Sequence, residues 1–265
     1  MSIRPRYCRL YTDAGVELAE ENFLHAELDW QMPLSQAALI SLDVWNWHFA
    51  RDTLERIEDI TVNRIAPLVE ACRRGGMQVI HAPAAPVANR HPNWVHLIPE
   101  ETKPQPVWPD SPEWPPKDFR QKSGRYRPYA RPHEPQEADR SQHGKEKRGF
   151  HPAVQPMGDE AVILSGEELH RWCAQRGILF LFYVGFNTNA CIVRRDYGTY
   201  PMLFRGYEVI LVRDCTTGME THSTVSSLTC TVGQIATLEQ FGIYTVESSQ
   251  VMDALLANGW RGEGP

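Results

Sequence analysis

The run Leu179-Phe180-Leu181-Phe182-Tyr183-Val184 is unbroken apolar and aromatic, and it stops at Gly185 before the small polar turn Asn187-Thr188-Asn189-Ala190. A run of this length and composition reads as a strand buried on both faces, which needs a layer of helices on each side of its sheet. A chain carrying it is therefore constrained towards a parallel, helix-covered sheet. A helix is expected after the turn, with Cys191 in its first turn. There, free backbone N–H groups and the positive end of the helix dipole favour a thiolate. Cys191 is the candidate nucleophile; the alternative is a small hydrophobe packed beneath the sheet, as free cysteines commonly are. The carboxyl end of a parallel strand is the usual ligand side.

The rest of the chain supplies partners for this strand. Ala37-Ala38-Leu39-Ile40-Ser41-Leu42 is a second buried run, ending in Asp43. Asp43 reads either as a turn cap or as an acid/base group facing the cleft of Cys191. Trp45, Trp47 and His48 follow, and rings so close to a strand end are suited to wall a pocket. Apolar residues spaced for an amphipathic helix run from Leu54 to Cys72, with a bend expected at Pro67, and Met77–Ala82 is the next strand, carrying His81 near its end. Glu160–Leu164, Tyr207–Val212 and Ile243–Val246 read as further strands. Gly166–Arg176 and a long segment from Val225 to Phe241 read as helices. The fold class is α/β: a three-layer α/β/α, Rossmann-like domain with a parallel sheet of about six strands, spanning residues 1–265.

Two segments stand outside this pattern. Residues 1–33 read as an irregular arm lying across the domain or a neighbouring subunit. Residues 83–156 hold fifteen of the twenty prolines, which is incompatible with central strands or a helical domain. This long Pro-rich insertion is expected to fold over the carboxyl ends of the strands as a lid, with the polar part from Glu134 to Arg148 more mobile. A net charge of −6 argues against a general nucleic-acid surface. The six cysteines show neither a disulfide framework nor metal-finger spacing, so a reducing cytoplasm is expected. No stretch is long and apolar enough to span a bilayer.

The strand ending in Asp43, the turn Gly185-Phe186-Asn187-Thr188-Asn189-Ala190-Cys191 and the entry Arg205-Gly206-Tyr207-Glu208-Val209 resemble the isochorismatase-like cysteine hydrolases. That superfamily includes nicotinamidase, N-carbamoylsarcosine amidohydrolase and ureidoacrylate amidohydrolase. The resemblance covers about Ala37 to Val251 without the insertion. It implies an Asp, Lys and Cys triad, with Cys191 as nucleophile and Asp43 as the base that takes its proton and later activates water. It also implies a cis bond between Phe186 and Asn187, an oxyanion hole from the backbone N–H groups of Asn187 and Cys191, and substrate contacts from Trp45 and His48.

Two departures from the family pattern bear on function. Nicotinamidases bind a metal through an Asp-x-His pair after the second strand, where this chain has Ala84 and Pro86; no metal and no other cofactor is expected. The family's lysine follows the third strand, where this chain has Leu164-Ser165-Gly166-Glu167-Glu168. A replacement cation is therefore sought in the insertion, among Lys117, Arg120, Lys122, Lys145 and Lys147. The resemblance implies an amidohydrolase acting on a C–N bond of a small amide or carbamoyl compound through a Cys thioester, in a homo-oligomer with a small-molecule substrate and no nucleic-acid or membrane partner. The alternatives are a silent binding module of the same fold, or an enol-ether hydrolase using Asp43 alone.

Overall fold

The computed structural model of the 265-residue chain describes residues 1–98 and 114–258. Its strands are β1 (Ser2–Ile3), β2 (Arg6–Cys8), β3 (His25–Glu27), β4 (Trp30–Gln31), β5 (Ala37–Leu42), β6 (Gln78–Ala82), β7 (Ala161–Val162), β8 (Phe180–Phe186), β9 (Glu208–Thr217) and β10 (Tyr244–Val246). Its helices are α1 (Arg51–Ile60), α2 (Ala66–Gly75), α3 (Ala85–Ala88), α4 (Lys117–Gln121), α5 (Glu137–Lys147), α6 (Gly166–Arg176), α7 (Cys191–Arg194), α8 (Thr199–Phe204), α9 (Thr229–Gln240) and α10 (Ser248–Ala257).

The main sheet has the order β3-β2-β10-β9-β8-β5-β6-β7, and the six strands from β10 to β7 run parallel. These are the six strands expected from the apolar runs. The strand order reverses between β5 and β8, the switch point at which open α/β sheets bind ligands outside their carboxyl ends. Alternate residues of the central strands serve opposite layers. Leu39, Phe182 and Val184 join Ile57, Leu68, Val251 and Leu255 on one face, while Ile40, Leu42, Leu181 and Tyr183 join Leu169, Cys173, Met202 and Leu238 on the other. Each fully buried large side chain contributes roughly 1.5–3 kcal/mol of transfer free energy. Among the described residues, no helix is long and apolar enough to cross a membrane.

Four details differ from the sequence reading. The arm is not irregular: β2 and β3 pair antiparallel and extend the sheet beyond β10. Pro67 sits in the first turn of α2, and the irregularity lies just before it, as a π-helical turn over Thr61–Ile65. Proline's missing N–H removes one rung of the helical ladder there, and the widened turn absorbs the loss. The last long helix begins at Thr229 rather than Val225, because Leu228 is left-handed (φ 51°) and the Glu220 carboxylate accepts the N–H groups of Cys230 and Thr231 at 3.0 and 2.9 Å. Finally, the polar part of the insertion contains an eleven-residue helix, α5. It is stabilised by ring contacts that its composition does not reveal: Arg140 lies 3.5 Å over the Phe49 ring, and Gly144 packs against Trp47 so closely that a Cβ would sit 3.1 Å from the indole.

Candidate active site

The turn after β8 is shaped by Gly185. Its φ is 120°, and a Cβ there would stand 1.8 Å from the Leu42 carbonyl oxygen, so only glycine lets β8 pass β5 at this point. The next peptide, Phe186–Asn187, is cis. The turn is then tied to the end of β9. The Thr188 N–H donates to the Thr217 carbonyl at 3.1 Å, the Thr188 and Thr216 hydroxyls are 2.7 Å apart, and Asn189 exchanges two hydrogen bonds with the Met219 backbone. These contacts explain why β9 runs on to Thr217, past the Tyr207–Val212 span expected from apolar residues.

Asp43 caps β5 with a left-handed backbone (φ 50°) and is fully buried. Its Oδ1 accepts the Trp45 indole N–H at 3.1 Å, and its Oδ2 accepts Nε and Nη2 of Arg195 at 3.1 and 3.0 Å. The basic group against Asp43 therefore comes from the segment that carries Cys191, four residues after it, and not from the insertion as sought. The side chain of Lys145 lies outside the described residues. Helix α7 is a single turn, and Arg195 leaves it in an extended conformation (φ −62°, ψ 148°), which swings the guanidinium back beneath the turn. The next two residues point elsewhere: Asp196 accepts the Gly166 N–H at 2.7 Å, and the Tyr197 hydroxyl donates to the Pro83 carbonyl at 2.9 Å, at the root of the insertion.

Cys191 is partly buried and stands close enough to Asp43 and Arg195 for both charges to act on its thiol. Burial, then the negative charge of Asp43, pushes the Cys191 thiol up to about 12. This corrects the expectation of a thiolate: a one-turn helix supplies too little dipole to outweigh desolvation and a neighbouring carboxylate. The resting group is a thiol whose proton has an acceptor beside it. Burial alone would lower the Arg195 guanidinium, but the charge of Asp43 reverses the sign, and the cation persists.

The other residues singled out in the sequence fall around this core. Trp45 is buried and orients Asp43. His48 is buried as well, stacks on Phe49 with 4.4 Å between ring centroids, and accepts the Ala50 N–H on Nδ1 at 3.1 Å. Burial lowers its pKa, and the Arg148 and Arg140 charges press the same way against the interactions with the Ala50 carbonyl and the Asn187 side chain. His81 shares a rung with Ser41 but turns away to Glu160 at 2.9 Å, as part of a buried pair with Arg73. Ala84 and Pro86 lie at the start of α3.

Compared with known proteins, residues 37–240 match the family model of the isochorismatase domain. The chain belongs to the isochorismatase family. Among solved structures, a cysteine hydrolase from Pseudomonas syringae pv. phaseolicola 1448A is similar at 17% identity and a TM-score of 0.56, covering 86% of this chain and 96% of its own. N-carbamoylsarcosine amidase from Thermoplasma acidophilum is 16% identical over 80% of this chain and 96% of its own, with a TM-score of 0.44. At such identities the likeness is one of fold. None of the curated proteins compared with the chain matches it. In this isochorismatase-family chain, sequence reasoning missed Arg195, which follows the single turn of α7 in an extended conformation.

Proposed function

We propose that this protein is a cysteine hydrolase that cleaves the C–N bond of a small amide or carbamoyl compound. The observation that carries the reading is the convergence of a buried carboxylate, a guanidinium and a thiol at the switch point, where Asp43 is held by Arg195 and Trp45 within reach of Cys191. A silent binding module would not need a charged pair buried beside a thiol, since such a pair is costly to desolvate and gives little stability.

In the first half-reaction the Cys191 proton passes to Asp43 while the sulfur attacks the carbonyl carbon, and the carbonyl π electrons move onto oxygen. The backbone N–H groups of Asn187 and Cys191 stabilise that oxyanion. The intermediate then collapses, the C–N bond breaks, and the nitrogen leaves as ammonia or an amine carrying the proton from Asp43. In the second half-reaction water gives a proton to Asp43 and adds to the thioester. Collapse releases the acid and returns the proton to sulfur. Arg195 orients Asp43 and balances its charge, and His48, buried behind Trp45, is the candidate substrate contact. All six cysteines are free, which supports a reducing compartment such as the cytoplasm.

The test is intact-protein mass spectrometry after mixing with a panel of small amides and carbamoyl compounds and quenching in acid. A mass increase equal to the acyl group on Cys191, absent from Cys191→Ala, is the expected result. Turnover that survives in Cys191→Ala would move the chemistry to Asp43 and enol-ether cleavage.

A further inference from the structure

Helix α5 and the segment that follows it are fixed on the loop after Asp43. The Asn46 N–H donates to the Gly149 carbonyl at 3.3 Å, the His151 N–H to the Val44 carbonyl at 3.1 Å, and the Gly149 N–H to the Asn46 side chain at 2.8 Å. Between this segment, the Trp47–Phe49 loop and α3 lies a cleft of about 430 Å³. Neither Asp43 nor Cys191 lines it. It is linked to them through Trp45, whose indole carries the Arg148 guanidinium on its ring and donates its N–H to Asp43.

The charges on the cleft wall are unbalanced. Arg90, Arg140 and Arg148 face it with a single described acid, Glu137, which is paired with His133 at 3.5 Å. Arg90 is engaged through its Nε with the Pro86 carbonyl at 2.6 Å. Arg140 lies over Phe49, and Arg148 over Trp45 and Trp47 at 4.7 and 5.7 Å; among the described residues neither forms a salt bridge. The Nε of Arg148 is moreover buried without any hydrogen-bond partner. A buried donor of this kind is costly unless something accepts from it. Stacking on rings leaves the edge of a guanidinium, with its paired N–H donors, free to receive a planar two-oxygen acceptor.

We infer that this cleft is the recognition subsite for a carboxylate on a flat, partly apolar molecule, and that Arg140 and Arg148 of the insertion hold it between the rings of Trp47 and Phe49. The inference rests on the proposed hydrolase only in making that carboxylate one end of the substrate, the amide or carbamoyl end lying inward at Cys191. The insertion then acts as a specificity element: it places cations outside the reaction centre, while the reaction centre keeps its own.

Benzoate and benzamide have nearly the same shape and differ in charge, so titration calorimetry of the full chain with each tests the idea without knowledge of the substrate. Benzoate is expected to bind at least ~10-fold more tightly than benzamide, and Arg148→Gln and Arg140→Gln are each expected to remove most of that preference, a tenfold change being readily resolved. Arg140 is exposed, so Arg140→Gln carries the test if Arg148→Gln lowers the melting temperature. Equal affinity for the two compounds, no binding of benzoate, or a preference unchanged in Arg140→Gln overturns the subsite. Acid-quenched intact-protein mass spectrometry of the same protein with the amide and carbamoyl panel separates the two claims. If no acyl adduct forms on Cys191 while benzoate binds through the arginines, the hydrolase reading fails and the carboxylate site stands. If the adduct forms without charge preference in the cleft, the subsite fails alone.

Discussion

Arg195 places both Nε and Nη2 on one oxygen of Asp43, Oδ2, and leaves Oδ1 to the indole of Trp45. The carboxylate is thus held from two sides in a single orientation, with the thiol of Cys191 alongside. Its cation and the Cys191 thiol come from the same short segment, so the turn after β8 supplies both groups beside Asp43.

Removing the proposed nucleophile or the proposed base separates chemistry from folding. Cys191→Ala is expected to reduce turnover at least ~10³-fold, and Asp43→Asn by ~10²–10⁴-fold. Cys191→Ala should leave the melting temperature nearly unchanged, since the residue is only partly buried. Steady-state rates and thermal melts on the two variants check both statements.

Arg195→Gln leaves a fully buried carboxylate without its cation. The expected cost is about 3 kcal/mol of stability, the order found when one partner of a buried pair is removed. Arg195→Lys keeps the charge and loses the two-donor geometry, and should recover much of the stability but less of kcat. Urea unfolding and kcat measured together distinguish the two substitutions.

Alkylation of Cys191 reports the charge of its neighbours. Because the thiol is pushed up to about 12, the iodoacetamide rate should climb through pH 9 without a plateau. Burial is the larger cause and remains in any variant. Asp43→Asn removes the negative charge that adds to it, so the climb shifts to lower pH, whereas Arg195→Gln removes a compensating positive charge and shifts it higher. A shift of Asp43→Asn towards higher pH would contradict the placement of the two residues.

The buried cluster on β6 predicts acid sensitivity. Burial depresses the His81 pKa below its ordinary 6.5, so the unfolded chain takes the proton first and stability falls as pH drops through that value. Glu160 behaves as a paired acid: burial opposes ionisation, but hydrogen bonds from Arg73 and His81 win and hold it at about 2, against an ordinary 4.5. Its contribution is complete above pH 4.5 and is lost between 4.5 and about 2. Urea midpoints at several pH values should show both declines, and Glu160→Gln should flatten the second.

Gly185→Ala is expected to cost more than about 4 kcal/mol or to abolish soluble expression, because positive φ and a 1.8 Å approach to Leu42 act together. Gly76→Ala, also at positive φ but with open space around its Cβ, should cost far less. Comparing their melting temperatures isolates the steric share.

The parallel strands were legible because burial on both faces leaves a continuous apolar run, as in Phe180–Val184, that no surface element imitates. The placement of Asp43 and Cys191 was legible for a related reason: each follows the carboxyl end of such a run, Asp43 directly and Cys191 after a short turn. Arg195 was hidden because its role depends on a one-turn helix ending abruptly, so that its extended backbone returns the side chain to Asp43. The protonated thiol was hidden because dipole and desolvation oppose each other, and sequence shows only the first. Helix α5 was hidden because its partners, Trp47 and Phe49, are distant in the chain.

The guanidinium at Asp43 has a consequence for counting exchangeable protons. A lysine at that place is a fourth-party donor whose ammonium can enter the relay, but an arginine holds its protons at every pH the fold survives. In the proposed mechanism the relay therefore has one mobile proton and two stations, sulfur and carboxylate. A proton inventory in mixed light and heavy water is expected to fit a single proton in flight for acylation.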